Sequence, residues 1–197
     1  MSGLRWLPIG ITNKIKNGVF IDVGAYEGDT AVFLAMNFNP SQVYAFEPEA
    51  KNFQILSKNA RILGHNIIIP INSGLSDHEG TTHITSNGGE SHLSTDKKDQ
   101  EIKLTAFDYF WPKQNNQDKI TLIKMDIEGA EMQALRGLEK TIIKDKPVLA
   151  ISIYHNASDF FTIKPWLENI CPDYKYIIRK ASPFALTGET MLVAYID

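Results

Sequence analysis

One cysteine, no surplus of basic charge and no apolar run longer than a strand: each shortage in this sequence removes a class of protein. Cys171 stands alone among 197 residues, so no internal disulfide framework exists. With Pro172 beside it and no His at dyad or ligand spacing, it reads as a packing residue, the usual place of a free thiol. The count of 20 Lys and Arg against 23 Asp and Glu gives a net charge of -3. There is no basic stripe to track phosphates, which argues against a nucleic acid partner. The longest apolar runs, such as PVLAISI at 147–153, are far short of the ~20 residues that cross a bilayer. The start MSGLRWLPIG lacks the apolar core and small-residue cleavage site of a signal peptide. No membrane span and a cytoplasmic location are the expectations.

What is present is an ordinary globular mixture, 43% hydrophobic and 22% charged, at a length suited to one domain. Residues 1–18 read as an N-terminal extension and 19–197 as a single domain. Strand-like runs alternate with helix-period segments. VFIDV (19–23), QVYAF (42–46) and NIIIPI (66–71) are strands; 29–37 and 49–63 between them carry apolar residues spaced by three or four. Further strands are expected at 102–104, 119–126 and 147–154, with helices over 129–144 and 158–170 and a small aromatic helix in TAFDYFW. The runs at 174–179 and 189–197 have no long helix between them and must pair antiparallel. This is an α/β pattern, a mostly parallel sheet with helices on both faces and a terminal hairpin. Residues 73–99, rich in Gly, Ser, Thr, Asp and His, read as a hairpin or a mobile loop beside the site.

Chemistry concentrates at strand ends. In VFIDVGAYEGDT a strand runs into Gly24 and Gly28 and then a helix, with Ala25 and Thr30 in the same turn. Such a turn brings backbone close to a ligand. It is not the glycine pattern of a dinucleotide site. Asp22 and Glu27 would repel a diphosphate and favour an aminoacyl ammonium and a sulfonium. Glu47, followed by Pro48, ends the second strand, where a carboxylate can accept both hydrogen bonds of a ribose diol. In GLSD (74–77), Ser76 or Asp77 could meet an adenine amino group. LIKMDIEGAE (122–131) brings Asp126 and Glu128 to the switch point beside the first strand, facing the reacting group, while Glu131 reads as an acid complementing a helix dipole. His155, ending the strand in AISIYH, is the expected general base. Asp126, Glu128 and His155 are also metal-ligand types, but they show no compact ligand spacing, and no metal site is assigned.

DVGAYEGDT (22–30), AFEPEAKNF (45–53), KMDIEGAEMQAL (124–135) and AISIYH (150–155), in that order and spacing, resemble the FkbM family of S-adenosylmethionine-dependent methyltransferases, from residue 19 to the C-terminus. The resemblance implies a class I methyltransferase (Rossmann-like) sheet of seven strands and S-adenosylmethionine as cofactor. It also implies methyl transfer to a hydroxyl oxygen of a small-molecule or carbohydrate acceptor. Ser152 stands where many relatives carry Glu, which keeps an inactive cofactor-binding module as an alternative. A nicotinamide-dependent oxidoreductase is the other, sharing the glycine turn and the acidic strand end. Acceptor choice falls to 73–99 and 180–188. With little leading helix, Leu4, Trp6 and Leu7 are left to cap the domain or to join a second copy as a homodimer.

Overall fold

A computed structural model describes residue 4 and residues 7–62, 66–87, 90–94, 99–114, 118–180 and 190–197. The chain opens with helix α1 (Ile9–Ile15), started by Pro8 and buried through Ile11 and Ile15. This helix was not expected. Leu4 and Leu7, 1% and 7% exposed, sit in the same core cluster as Phe20 and Leu34. The reason for giving Leu4 and Leu7 to a partner subunit is thereby removed; Trp6 lies outside the described residues.

Strand β1 (Val19–Val23), helix α2 (Asp29–Phe38), strand β2 (Gln42–Phe46), helix α3 (Ala50–Ile62) and strand β3 (Ile68–Ile71) follow as the sequence predicts. Next come β4 (Gly74–Leu75), β5 (Gly80–Asn87), β6 (Glu90–Ser94) and β7 (Gln100–Thr105). The rest is α4 (Phe107–Phe110) with a 3-10 turn, β8 (Ile120–Met125), α5 (Glu131–Arg136), α6 (Glu139–Asp145), β9 (Val148–Ser152), α7 (Ala157–Ile170), β10 (Lys175–Lys180) and β11 (Thr190–Tyr195).

The main sheet has seven strands in the order β10-β11-β9-β8-β1-β2-β3. β9, β8, β1, β2 and β3 pair in parallel, and β11 pairs antiparallel with both β9 and β10. All of β1 is buried, as a parallel strand covered on both faces must be. Val19, Ile21 and Val23 join one core cluster and Phe20 the other. The strand order reverses between β1 and β8, which run parallel, so a crevice opens at their carboxyl ends. The segment 73–99 is built as strands where it is described. With β7, its β4, β5 and β6 make a second sheet ordered β4-β7-β5-β6.

The single helix expected over 129–144 is two. A Cβ on Gly137 would lie 1.9 Å from the Ser76 carbonyl oxygen, so the chain passes too close there to carry a side chain. Asp108 then starts α6 afresh, accepting hydrogen bonds from the Lys140 and Thr141 N–H groups at 2.8 and 3.0 Å, which satisfies donors a helix start leaves open. Cys171 is buried at the end of α7. Among the described residues no helix is long and apolar enough to cross a membrane.

Candidate functional site

At the carboxyl ends of β1, β2 and β8 lies a cavity of about 270 Å³. Val23, Gly24 and Tyr26 line it from β1 and its loop, Phe46, Glu47 and Pro48 from β2, and Asn52 from α3. Asp126, Ile127, Glu128 and Ala130 close the side after β8, while Gly74, Leu75, Ile84, Ile102 and Leu104 form an apolar wall from the second sheet. Among the described residues of the lining there is no Lys or Arg, and the charged groups are three carboxylates.

The glycine loop is fixed by the protein's own backbone. The Gly24 and Ala25 N–H groups both donate to the Phe46 carbonyl, at 3.1 and 3.0 Å. Gly24 has φ +77°, and a Cβ there would stand 2.0 Å from the Asp126 carbonyl oxygen. Close approach of the loops after β1 and β8 therefore demands glycine, before any ligand is considered. At Gly28, φ +91°, a Cβ would stand 2.7 Å from Leu56 Cδ1 of α3: the glycine lets the helix pack close and does not line the cavity. Two non-glycine residues that do line it, Tyr26 and Glu128, also have positive φ, 51° and 56°, strain of the kind that gathers at ligand sites.

Asp22 lies beneath this loop. Its carboxylate is fully buried and paired with Lys124 Nζ at 3.0 Å; the ammonium also donates to the Gly24 carbonyl at 2.8 Å. Burial pushes the Asp22 carboxyl up, opposed by Lys124. Although burial works against it, the Lys124 ammonium is held protonated by Asp22 and Asp126. Asp22 thus holds the loop from below and is not part of the cavity wall. Ala25 and Thr30 are buried; Glu27 is not among the lining residues, and its backbone carbonyl accepts from Asn59 Nδ2 at 2.8 Å.

Glu47 is 6% exposed. Its Oε2 accepts from the Tyr26 N–H and its Oε1 from the Glu49 N–H, both at 2.9 Å. Each oxygen keeps a second lone pair. Burial pushes its pKa up from 4.5 to about 7, against the two backbone hydrogen bonds. Ser76 and Asp77, expected near adenine, stand outside the cavity: Ser76 donates to Asp77 at 3.3 Å, and Asp77 pairs with the exposed His78 at 2.7 Å. The backbone just before them, Gly74 and Leu75, reaches the cavity instead.

On the far wall Asp126 and Glu128 converge on His155. The imidazole Nε2 is 3.5 Å from Asp126 Oδ1 and 3.4 Å from Glu128 Oε2, and Nδ1 is 2.8 Å from Glu131 Oε1. His155 is only 7% exposed at its side chain and stands behind the cavity wall, where Asp126 and Glu128 separate it from an acceptor. Burial lowers the basicity of the ring, but the Glu131 hydrogen bond and the charges of Glu131, Glu128 and Asp126 outweigh it and raise the pKa. Expected as the general base, His155 does not line the cavity, and Asp126 and Glu128 stand between. Glu131 is more than a helix-dipole acid: fully buried, it accepts from the Ile127 N–H at 3.1 Å and holds the imidazole. Its four-residue spacing from Ile127 was the one local sign. Tyr26, Asn52, Lys124 and the apolar wall were also missed; a lysine inside the buried run ITLIKM was a signal.

The sequence profile of the Methyltransferase FkbM domain matches residues 22–178. "Methyltransferase 1" of Beauveria bassiana is 23% identical over 175 residues, 76% of this chain and 70% of that protein. "Hexuronic acid methyltransferase AglP" of Haloferax volcanii is 29% identical over 133 residues, 64% of this chain and 52% of that one. The crystal structure of an FkbM methyltransferase from Methylobacillus flagellatus KT superposes with a TM-score of 0.74 at 26% identity, covering 91% of this chain but 44% of that protein. SMU.1697c from Streptococcus mutans, solved in complex with SAH, shares the fold: TM-score 0.59, 12% identity, 93% of this chain and 92% of that one. With the profile spanning most of its length, from Asp22 through β10, the chain belongs to the FkbM methyltransferase family.

Proposed function

We propose that the cavity binds S-adenosylmethionine and that the protein transfers its methyl group to a hydroxyl oxygen of a sugar or other small molecule. The charge of the lining carries this reading: three carboxylates, Glu47, Asp126 and Glu128, and no Lys or Arg among its described residues. Such a wall suits a cationic sulfonium and an aminoacyl ammonium and repels the diphosphate of a nicotinamide cofactor. Glu47 has the two lone pairs that a ribose diol needs. Ile84, Ile102 and Leu104 offer the apolar surface on which an adenine ring would lie. When bound, the cofactor supplies the electrophilic methyl.

The chain's own part is alignment and proton removal. Asp126, within 3.5 Å of the Tyr154 hydroxyl and of His155 Nε2, faces the cavity and takes the hydroxyl proton. His155 and Glu131 act through it as positioning residues. The hexuronic acid named for the Haloferax relative makes hexuronic acid glycosides the first acceptors to try. Incubation with methyl-labelled S-adenosylmethionine and a panel of uronic acid glycosides and simple alcohols should label an oxygen. Label in none of them, with the cofactor bound, would support the inactive-module reading; label on nitrogen or carbon would overturn the hydroxyl assignment.

A further inference from the structure

Behind the cavity wall lies a cluster of acidic groups about one histidine. Asp126, Glu128, Glu131 and Asp159 surround one imidazole. Glu131 Oε2 and Asp159 Oδ2 are buried without a hydrogen bond, as is His155 Nε2. Lys124, the ammonium that reaches Asp126 electrostatically, is already engaged by Asp22 and the Gly24 carbonyl.

We propose that Asp126, Glu128 and His155 ligate a divalent metal cation, with Glu131 fixing the imidazole from behind. Two distances carry this. His155 Nε2 stands 3.5 Å from Asp126 Oδ1 and 3.4 Å from Glu128 Oε2, well beyond the ~2.9–3.0 Å of a good N–H···O bond. Two ligand atoms that each lie about 2.0–2.2 Å from a common cation are themselves about 3.0–3.5 Å apart. Both separations suit pairs of ligands to one cation. On the other side of the ring, Nδ1–H donates to Glu131 Oε1 at 2.8 Å. That leaves the Nε2 lone pair aimed at the two carboxylates, the carboxylate–histidine arrangement that orients metal-bound imidazoles.

Burial and access agree. The imidazole is 7% exposed, whereas Asp126 and Glu128 are 35% and 29% exposed at their side chains and face the cavity. The ion therefore has an entry path and open positions for water or an acceptor oxygen. Ligand atoms of Asp126, Glu131 and His155 also lie within 4.8 Å of one another, so a small turn of Glu131 could add its unpaired oxygen. One imidazole with carboxylates selects ions of the Mn²⁺ and Mg²⁺ kind over soft thiolate-seeking ones. Ligation through Oδ1 leaves Asp126 a second oxygen for the acceptor's proton.

This inference rests on the cluster alone and stands or falls apart from methyl transfer. The test is titration of the chelator-stripped full chain with Mn²⁺, free ion read by electron paramagnetic resonance, with no cofactor present. One Mn²⁺ per chain is expected, with affinity lost in His155→Ala and reduced at least tenfold in the partly exposed Glu128→Gln. Glu131→Gln should weaken binding about 10–100-fold. Should Glu131→Gln fail to fold, Glu128→Gln alone keeps the test. No uptake by the wild type, or an affinity unchanged in His155→Ala and Glu128→Gln, overturns the site. S-adenosylmethionine binding by a protein that takes up no Mn²⁺ would sink the metal site and leave the proposed function intact.

Discussion

Glu47 should make cofactor binding depend on pH near neutrality. Burial holds its carboxyl at about 7 in the free protein, against 4.5 in the open chain. Because the folded value is raised, the protonated form stabilises the free fold. That contribution is full below about 4.5 and is lost as pH rises through about 7. A ribose diol donating two hydrogen bonds favours the carboxylate and brings the pKa back down, so binding below neutrality releases a proton. If the complex restores the ordinary value, affinity rises about 30-fold between about pH 5.5 and 8, roughly 2 kcal/mol. Calorimetric titration with S-adenosylmethionine in buffers of different ionisation enthalpy reads both the affinity and the proton. Glu47→Gln should flatten the Glu47 part of the profile and weaken binding at pH 8 by about 1.5–3 kcal/mol, the range for hydrogen bonds to a charged group. A wild-type affinity that stays flat over this window, or a variant with the wild-type slope, refutes the reasoning.

Three further outcomes follow from the geometry. Asp126→Asn should lower the maximal rate by about 10²–10⁴ with little change in cofactor affinity; single-turnover kinetics beside calorimetry separates the two. Lys124→Met leaves Asp22 alone at full burial and should cost about 3–5 kcal/mol in urea unfolding, much of it recovered in Lys124→Met with Asp22→Asn. Gly24→Ala forces a Cβ to 2.0 Å from the Asp126 carbonyl oxygen; unfolding should show a loss of at least about 2 kcal/mol even without ligand, and unchanged stability would mean that the loop yields easily.

The parallel half of the fold was legible because its signals are local. Runs such as VFIDV and QVYAF between helices of regular apolar period leave few other arrangements, and Gly24, Glu47, Asp126 and Glu128 come to the cavity because all stand just past strand ends at the switch point. The misses are non-local. Helix α1 is poor in helix formers, with Gly10 and Thr12, and is held by burial of Ile11 and Ile15. Gly137 interrupts a continuous apolar period because the Ser76 carbonyl crosses it, a contact no window of sequence contains. Glu131 looked like a surface acid because its partner His155 lies 24 residues away. The alternation at 81–85 suggested a strand, but not that Ile84 of β5 would fold back as a cavity wall. His155 was visible as a residue; that two carboxylates stand between it and the cavity was not.

A cavity whose described lining holds three carboxylates and no cationic side chain should take S-adenosylmethionine. Parallel calorimetric titration of the full chain with S-adenosylmethionine, S-adenosylhomocysteine and a nicotinamide dinucleotide tests it most directly. One S-adenosylmethionine per chain and no dinucleotide is the predicted result, with affinity reduced in Glu47→Ala. Dinucleotide binding in the absence of S-adenosylmethionine binding, or S-adenosylmethionine affinity untouched by Glu47→Ala, would contradict it.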